Sequence, residues 1–139
     1  MKPIKQLHNA CFLACIESFL KDHSISKSQA EMIKVLKGKG LCSEEGVVRQ
    51  GDEGSACKEF NIRFTDVPYK YPIPQNYSDG SLLIGTTQPG LHCVRFLKQE
   101  EEAKIIVMDP AIGDFRYWDK PDLEKSIPLF HKIELEQAK

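Results

Sequence analysis

The chain has 139 residues and a formal net charge of −1, which fits one domain spanning 1–139 that can bury a core without staples. Its 19 lysines and arginines are interspersed among 20 aspartates and glutamates, so no basic stripe marks a nucleic-acid partner. No apolar run reaches membrane-span length, no secretory leader opens the chain and the five cysteines are odd in number. These features predict free thiols in a reducing, cytoplasmic setting.

Asn9 reads as an N-cap for a helix starting at Ala10, whose apolar run to Leu20 places Cys11 in the first turn. Ser26-Lys27-Ser28-Gln29 has capping-box spacing ahead of a second helix, in which Ala30, Ile33, Leu36 and Lys37 run on to stop at Gly38. The lysines from Lys34 to Lys39 read as a solvated helix end. Residues Cys42 to Gly54, with three glycines and little periodicity, read as loop. A third helix is expected within Glu53–Phe60, with Ala56, Cys57 and Phe60 facing inward.

Strands are expected at 61–67, 81–86, 91–97, 104–108, 114–118 and 129–135. Pro68 to Tyr77, with three prolines and three tyrosines, is predicted to be irregular, either packed on the sheet or walling a substrate groove. Ser78-Asp79-Gly80 is a turn signal. The polar segment Lys98–Ala103 reads as a hairpin loop that makes its flanking strands antiparallel neighbours. The pattern is α+β, with N-terminal helices packed on an antiparallel sheet.

Three residues in this pattern carry chemistry. A thiolate attacks a carbonyl efficiently, and a helix N-terminus or a neighbouring imidazolium favours it over the thiol. Cys11 is therefore a candidate nucleophile. His92, at the head of one strand, is a candidate base. Asp109, at the end of the next, is placed to reach the far ring nitrogen of His92 and fix its tautomer.

The stretches Asn9-Ala10-Cys11-Phe12-Leu13-Ala14-Cys15-Ile16, Gly90-Leu91-His92-Cys93-Val94-Arg95-Phe96 and Val107-Met108-Asp109-Pro110-Ala111-Ile112-Gly113 resemble the C39 peptidase family. These are papain-like cysteine peptidases that remove double-glycine leader peptides from bacteriocin precursors. The resemblance implies a papain-like fold and a triad of nucleophile Cys11, general base His92 and orienting acid Asp109, with no cofactor and no metal. It also implies a peptide substrate with small residues at the scissile bond, and a transporter or immunity protein as partner. Gln6 would be the oxyanion-hole donor. The chain departs from the family in two places: Ala10-Cys11-Phe12 stands where Asp-Cys-Gly is usual, and Gln6 stands one residue closer to the cysteine than the usual glutamine.

Other uses of the same residues are a papain-fold toxin or effector, delivered as a soluble domain, that deamidates or cleaves a protein target, and a domain that binds peptide without cutting it. His8, Cys11 and Cys15 form a rival set of zinc ligands. Cys15 and Cys93 are expected in the core, the latter on the sheet face opposite His92 by strand alternation. His23 and His131 read as structural or surface residues, and Tyr117 and Trp118 as packing.

Overall fold

A computed structural model describes residues 1–68, 73–88 and 90–136. The elements, in chain order, are α1 (Cys11–Asp22), α2 (Gln29–Gly38), α3 (Glu53–Lys58), β1 (Ile62–Val67), a 3-10 turn (Gln75–Tyr77), β2 (Leu82–Thr86), β3 (His92–Glu101), β4 (Lys104–Asp109), β5 (Asp114–Asp119), α4 (Lys120–Lys125) and β6 (Leu129–Leu135). The strands form one antiparallel sheet in the order β1-β6-β2-β3-β4-β5.

Side-chain alternation gives the sheet two buried faces. Leu83, Cys93, Met108 and Ile133 face α1, α2 and α3. Leu82, Ile84, Val94, Phe96, Ile105 and Val107 pack on the other face against Ile73 and Leu123 of α4. Helix α1 lies in the middle of the first core, burying Leu13, Ile16, Phe19 and Leu20 among others. It has no side-chain cap, a deficit of about 1 kcal/mol. Burial of those four side chains, worth roughly 1.5–3 kcal/mol each, outweighs that deficit.

One buried ion pair ties α1 to the sheet. Arg95 of β3 is wholly buried, and its guanidinium donates to Asp22 Oδ2 at 2.9 Å, Ser18 Oγ at 2.7 Å and the Gly80 carbonyl at 2.8 Å. Gly80 has φ +84°, and a Cβ there would lie 2.4 Å from Arg95 Nη2, so only glycine lets its carbonyl approach this closely.

Several local expectations need correction. The residue capping α1 is Ala10, not Asn9, and the helix starts at Cys11. Asn9 instead spends its amide on the Glu45 carboxylate. The capping box is two residues later than expected: Ser28 accepts from Glu31 N and Glu31 reaches back to Ser28 N. The hairpin between β3 and β4 is tighter than its polarity suggested, because β3 runs through Glu101 with register shifts that indicate bulging. Exposed edge-on pairing tolerates charged side chains, so polarity alone did not mark the turn. Helix α4, which the sequence reading does not include, carries Pro121 in its first turn, where its absent N–H costs nothing. Of the segment Pro68–Tyr77, Tyr69, Lys70, Tyr71 and Pro72 lie outside the described residues.

Candidate active site

The first turn of α1, the head of β3 and the end of β4 meet at one end of the sheet. Cys11 is the first residue of α1, so its backbone N–H has no partner within the helix. The loop before α3 forms the facing wall. Gly46 (φ +80°) packs there against Ala10 and Ile33, where a Cβ would lie 2.9 Å from Ala10 Cβ. Cys11, His92, Asn9, Val47, Gly85 and His131 are among the residues lining a cavity of about 150 Å³ between this wall and the sheet.

His92 has two functional side chains beside it. Its Nε2 lies 2.6 Å from Asp109 Oδ1, and its ring lies beside the Cys11 side chain in the same cavity. Burial alone would lower the imidazole pKa, but the hydrogen bond and charge of Asp109, with the Cys11 side chain, push it up to about 10. The protonated ring is thus the favoured form at neutral pH.

Asp109 is almost fully buried. Burial pushes its pKa up, yet the hydrogen bonds from His92 and Ala111 N, the charge of His92 and the bond from Arg116 bring it below the usual carboxylate value. Ala111 N donates to Oδ1 at 3.0 Å, and Arg116 Nη1 donates to Oδ2 at 3.0 Å. The carboxylate is therefore oriented from both sides. Arg116 was not singled out from the sequence. The available signal was the tight turn at 109–113, which brings alternate residues of β5 back beside β4, placing Arg116 opposite Val107.

The turn is itself fastened to the N-terminal segment. Gly113 N and Ile112 N donate to the Asp109 carbonyl at 2.9 and 3.2 Å, and Gln6 N donates to the Pro110 carbonyl at 2.8 Å. Gln29 of α2, expected from the sequence only as the closing residue of a capping box, holds the same segment. Its side chain accepts from Leu7 N at 2.6 Å and donates to the Lys5 carbonyl at 3.0 Å and Glu17 Oε1 at 2.9 Å.

Gln6 Nε2 donates to the His8 carbonyl at 2.9 Å, and Gln6 is not among the residues lining the cavity that Cys11 and His92 share. An amide nitrogen carries two hydrogens, so one remains for another acceptor.

The other thiols differ in surroundings. Cys15 is fully buried, with Sγ 3.5 Å from the Cys93 carbonyl. Cys93 is held far above its ordinary value by its hydrogen bond with Cys15 and by burial. Burial also raises Cys57 and Cys42. Among the described residues no group of three His, Cys, Asp or Glu side chains is placed to hold a metal ion, so His8, Cys11 and Cys15 do not converge as a zinc site. Nor, among these residues, is any helix long and apolar enough to cross a membrane.

His23 packs its ring against Phe19 at α1's end. His131 is less peripheral than expected: it lines the Cys11 cavity, bonds Asp66 Oδ1 through Nδ1 at 2.7 Å and stacks on Phe64 at 4.5 Å. Trp118 packs against the second core, while Tyr117 is exposed beneath the Lys104 ammonium.

Cys11 at the N-terminus of α1 and the His92–Asp109 pair at the ends of two neighbouring strands thus stand together at one end of an α+β fold. The fold is similar to that of the peptidase domain of Streptococcus ComA, a bi-functional ABC transporter involved in a quorum sensing pathway. The match has a TM-score of 0.72 and 14% identity, and covers 98% of this chain and 98% of that one. No family model matches the sequence, and no curated protein matches it.

Proposed function

We propose that residues 1–139 form one papain-like cysteine peptidase domain that cleaves a peptide bond through a thioester on Cys11. The observation that carries this reading is His92, 2.6 Å from Asp109 and lining the same cavity as Cys11. The protonated imidazole is the counter-charge for a Cys11 thiolate, which is the attacking species. After attack on the carbonyl, His92 gives its proton to the leaving amine, and the neutral ring then takes one from the water that hydrolyses the thioester. Asp109 holds the ring in one orientation throughout and favours its charged form.

The oxyanion of each tetrahedral intermediate requires donors. The Cys11 backbone N–H supplies one, and the second amide hydrogen of Gln6 the other. The substrate class follows from the C39 resemblance, a precursor peptide with small residues, such as Gly-Gly, before the scissile bond. The likeness to a domain of a transporter makes an exported peptide the first candidate.

The experiment is cleavage of synthetic Gly-Gly and Gly-Ala peptides, followed by mass spectrometry, for the wild type, Cys11→Ala and His92→Ala. Both variants are expected to lose turnover while keeping the wild-type circular dichroism spectrum. Ammonia release from glutamine peptides, without backbone cleavage, would replace peptidase by deamidase.

A further inference from the structure

Neither the backbone nor the local packing requires a glycine at position 85. Gly85 lies within β2 and outside the left-handed region. A Cβ there would meet its nearest neighbours, the Leu129 carbonyl and His131 Nε2, at 3.8 and 3.9 Å, which is ordinary contact. A glycine inside a strand forgoes a packing side chain and often marks a place where a ligand comes close to the backbone. Gly85 pairs with Cys93 of β3 on one side and Leu129 of β6 on the other, so its bare backbone leaves a gap on the sheet face that Cys93 shares with α1. That gap is part of the cavity of about 150 Å³ that Cys11 and His92 line.

The cavity's walls are largely apolar. Buried Phe12 and Val48 line it with Val47 and Cys93. Several of its polar groups are engaged within the protein: Thr86 Oγ1 donates to the Gly90 carbonyl at 3.3 Å, Thr87 Oγ1 to the Ile127 carbonyl at 3.0 Å, and the Asn9 amide to Glu45. His131 Nδ1 lies 2.7 Å from Asp66 Oδ1. Gln50 and Glu53 line both this cavity and a wider one of about 700 Å³, and mark where the two join. Leu91 and Leu129, 61% and 37% exposed, complete the lining. Two large apolar side chains left in water on the rim of one cavity, beside a candidate nucleophile, are surface that a ligand would cover.

From this we propose that Gly85 opens a specificity pocket for one leucine-sized apolar side chain of the peptide substrate. The volume fits a single such group, since an engineered apolar cavity of about 150 Å³ takes up one benzene. Because Cys11 and His92 line the same pocket, and an extended chain advances only roughly 3.3 Å per residue, the side chain belongs to a residue close to the scissile bond. Glycine leaves the pocket empty, so a neighbour of the Gly-Gly pair fills it. The proposal rests on the reading of Cys11 as nucleophile only for where the scissile bond lies; the apolar preference is a property of binding.

The test separates binding from catalysis. Fluorescein-labelled peptides with a Gly-Gly core and one leucine, alanine or asparagine at each flanking position are titrated by anisotropy against Cys11→Ala protein. At one position leucine is expected to bind about tenfold tighter than alanine or its near-isostere asparagine, a preference that added salt leaves intact. Cys11→Ala/Gly85→Val puts two methyl groups into the gap and should bring that ratio toward unity while the alanine peptide binds nearly as before. Cys11→Ala/Leu129→Thr should lower the ratio too, and decides the matter if the valine variant does not fold. The absence of a leucine preference at every position, through equal or unmeasurable binding, overturns the proposal, as does a preference untouched by both changes. A leucine preference that vanishes in these variants, in a protein whose wild type cuts none of the peptides, would uphold the pocket and sink the peptidase reading instead.

Discussion

Gly113 lies directly beneath Lys5: a Cβ added to the glycine would sit 2.8 Å from Lys5 Cβ and 3.2 Å from Lys5 Cα. With φ at +68°, Gly113 closes the turn whose first residue, Asp109, orients His92, so the acid's position depends on a backbone contact with the N-terminal segment. Gly113→Ala is expected to destabilise the protein by about 1–3 kcal/mol through its left-handed backbone and this collision. Urea denaturation checks the first effect. The second is an accompanying fall in peptide turnover, since Pro110 also holds Gln6.

Arg95 makes a prediction of a different kind. Its guanidinium is fully buried with Asp22, Ser18 and Gly80 as partners, so Arg95→Ala strands those groups and is expected to cost about 3–5 kcal/mol. Arg95→Met refills the volume and should cost less. Thermal or urea unfolding of both variants measures the difference, and equal losses would mean that the charge and its hydrogen bonds, not the filled volume, hold α1 to β3.

The places of Cys11, His92 and Asp109 in the fold were legible because they lie at element ends that hydrophobic periodicity marks well. The run from Ala10 to Leu20 announces α1, and the strands around His92 and Asp109 alternate clearly enough to be placed within a residue or so at their N-terminal ends. What was not legible depends on tertiary contact. Asn9 looks like a cap, yet Glu45 takes its amide. Arg116 becomes visible only once the 109–113 turn folds β5 back on β4. His131 reads as ordinary strand until β1 brings Asp66 opposite it.

The protonation of His92 links stability to pH with a definite sign. Its folded pKa, about 10, lies above the ordinary value of 6.5, so its contribution is fully present below about pH 6.5 and is lost as pH rises toward 10. The stability gap between wild type and His92→Gln is expected to narrow across that window in urea titrations at successive pH values. Asp109 behaves oppositely. Its folded pKa lies below 3.8, so its contribution is present above that value and is lost as pH falls beneath it.

Asp109 and Gln6 are distinguished by two measurements on each variant. Asp109→Asn removes the charge that supports the imidazolium, so turnover should drop by orders of magnitude, with a smaller slowing of Cys11 alkylation at neutral pH. Gln6→Ala acts on the tetrahedral intermediate and not on the thiolate. Its turnover should fall by roughly 10²–10³ with alkylation nearly unchanged. Full turnover in Gln6→Ala would mean that another donor serves the oxyanion.

The most direct test correlates labelling with activity. Wild-type protein is treated with iodoacetamide near neutral pH for increasing times, and each sample is split between peptide mapping and a peptide-cleavage assay. Cys11 should be modified well before Cys42, whose thiol is held in the protonated form by burial, and Cys57 and Cys93, held so by burial and neighbouring thiols, and before the fully buried Cys15. Residual turnover should equal the fraction of unmodified Cys11 at every time point. Turnover that persists with Cys11 fully alkylated, or that tracks the loss of another cysteine, would contradict Cys11 as the nucleophile.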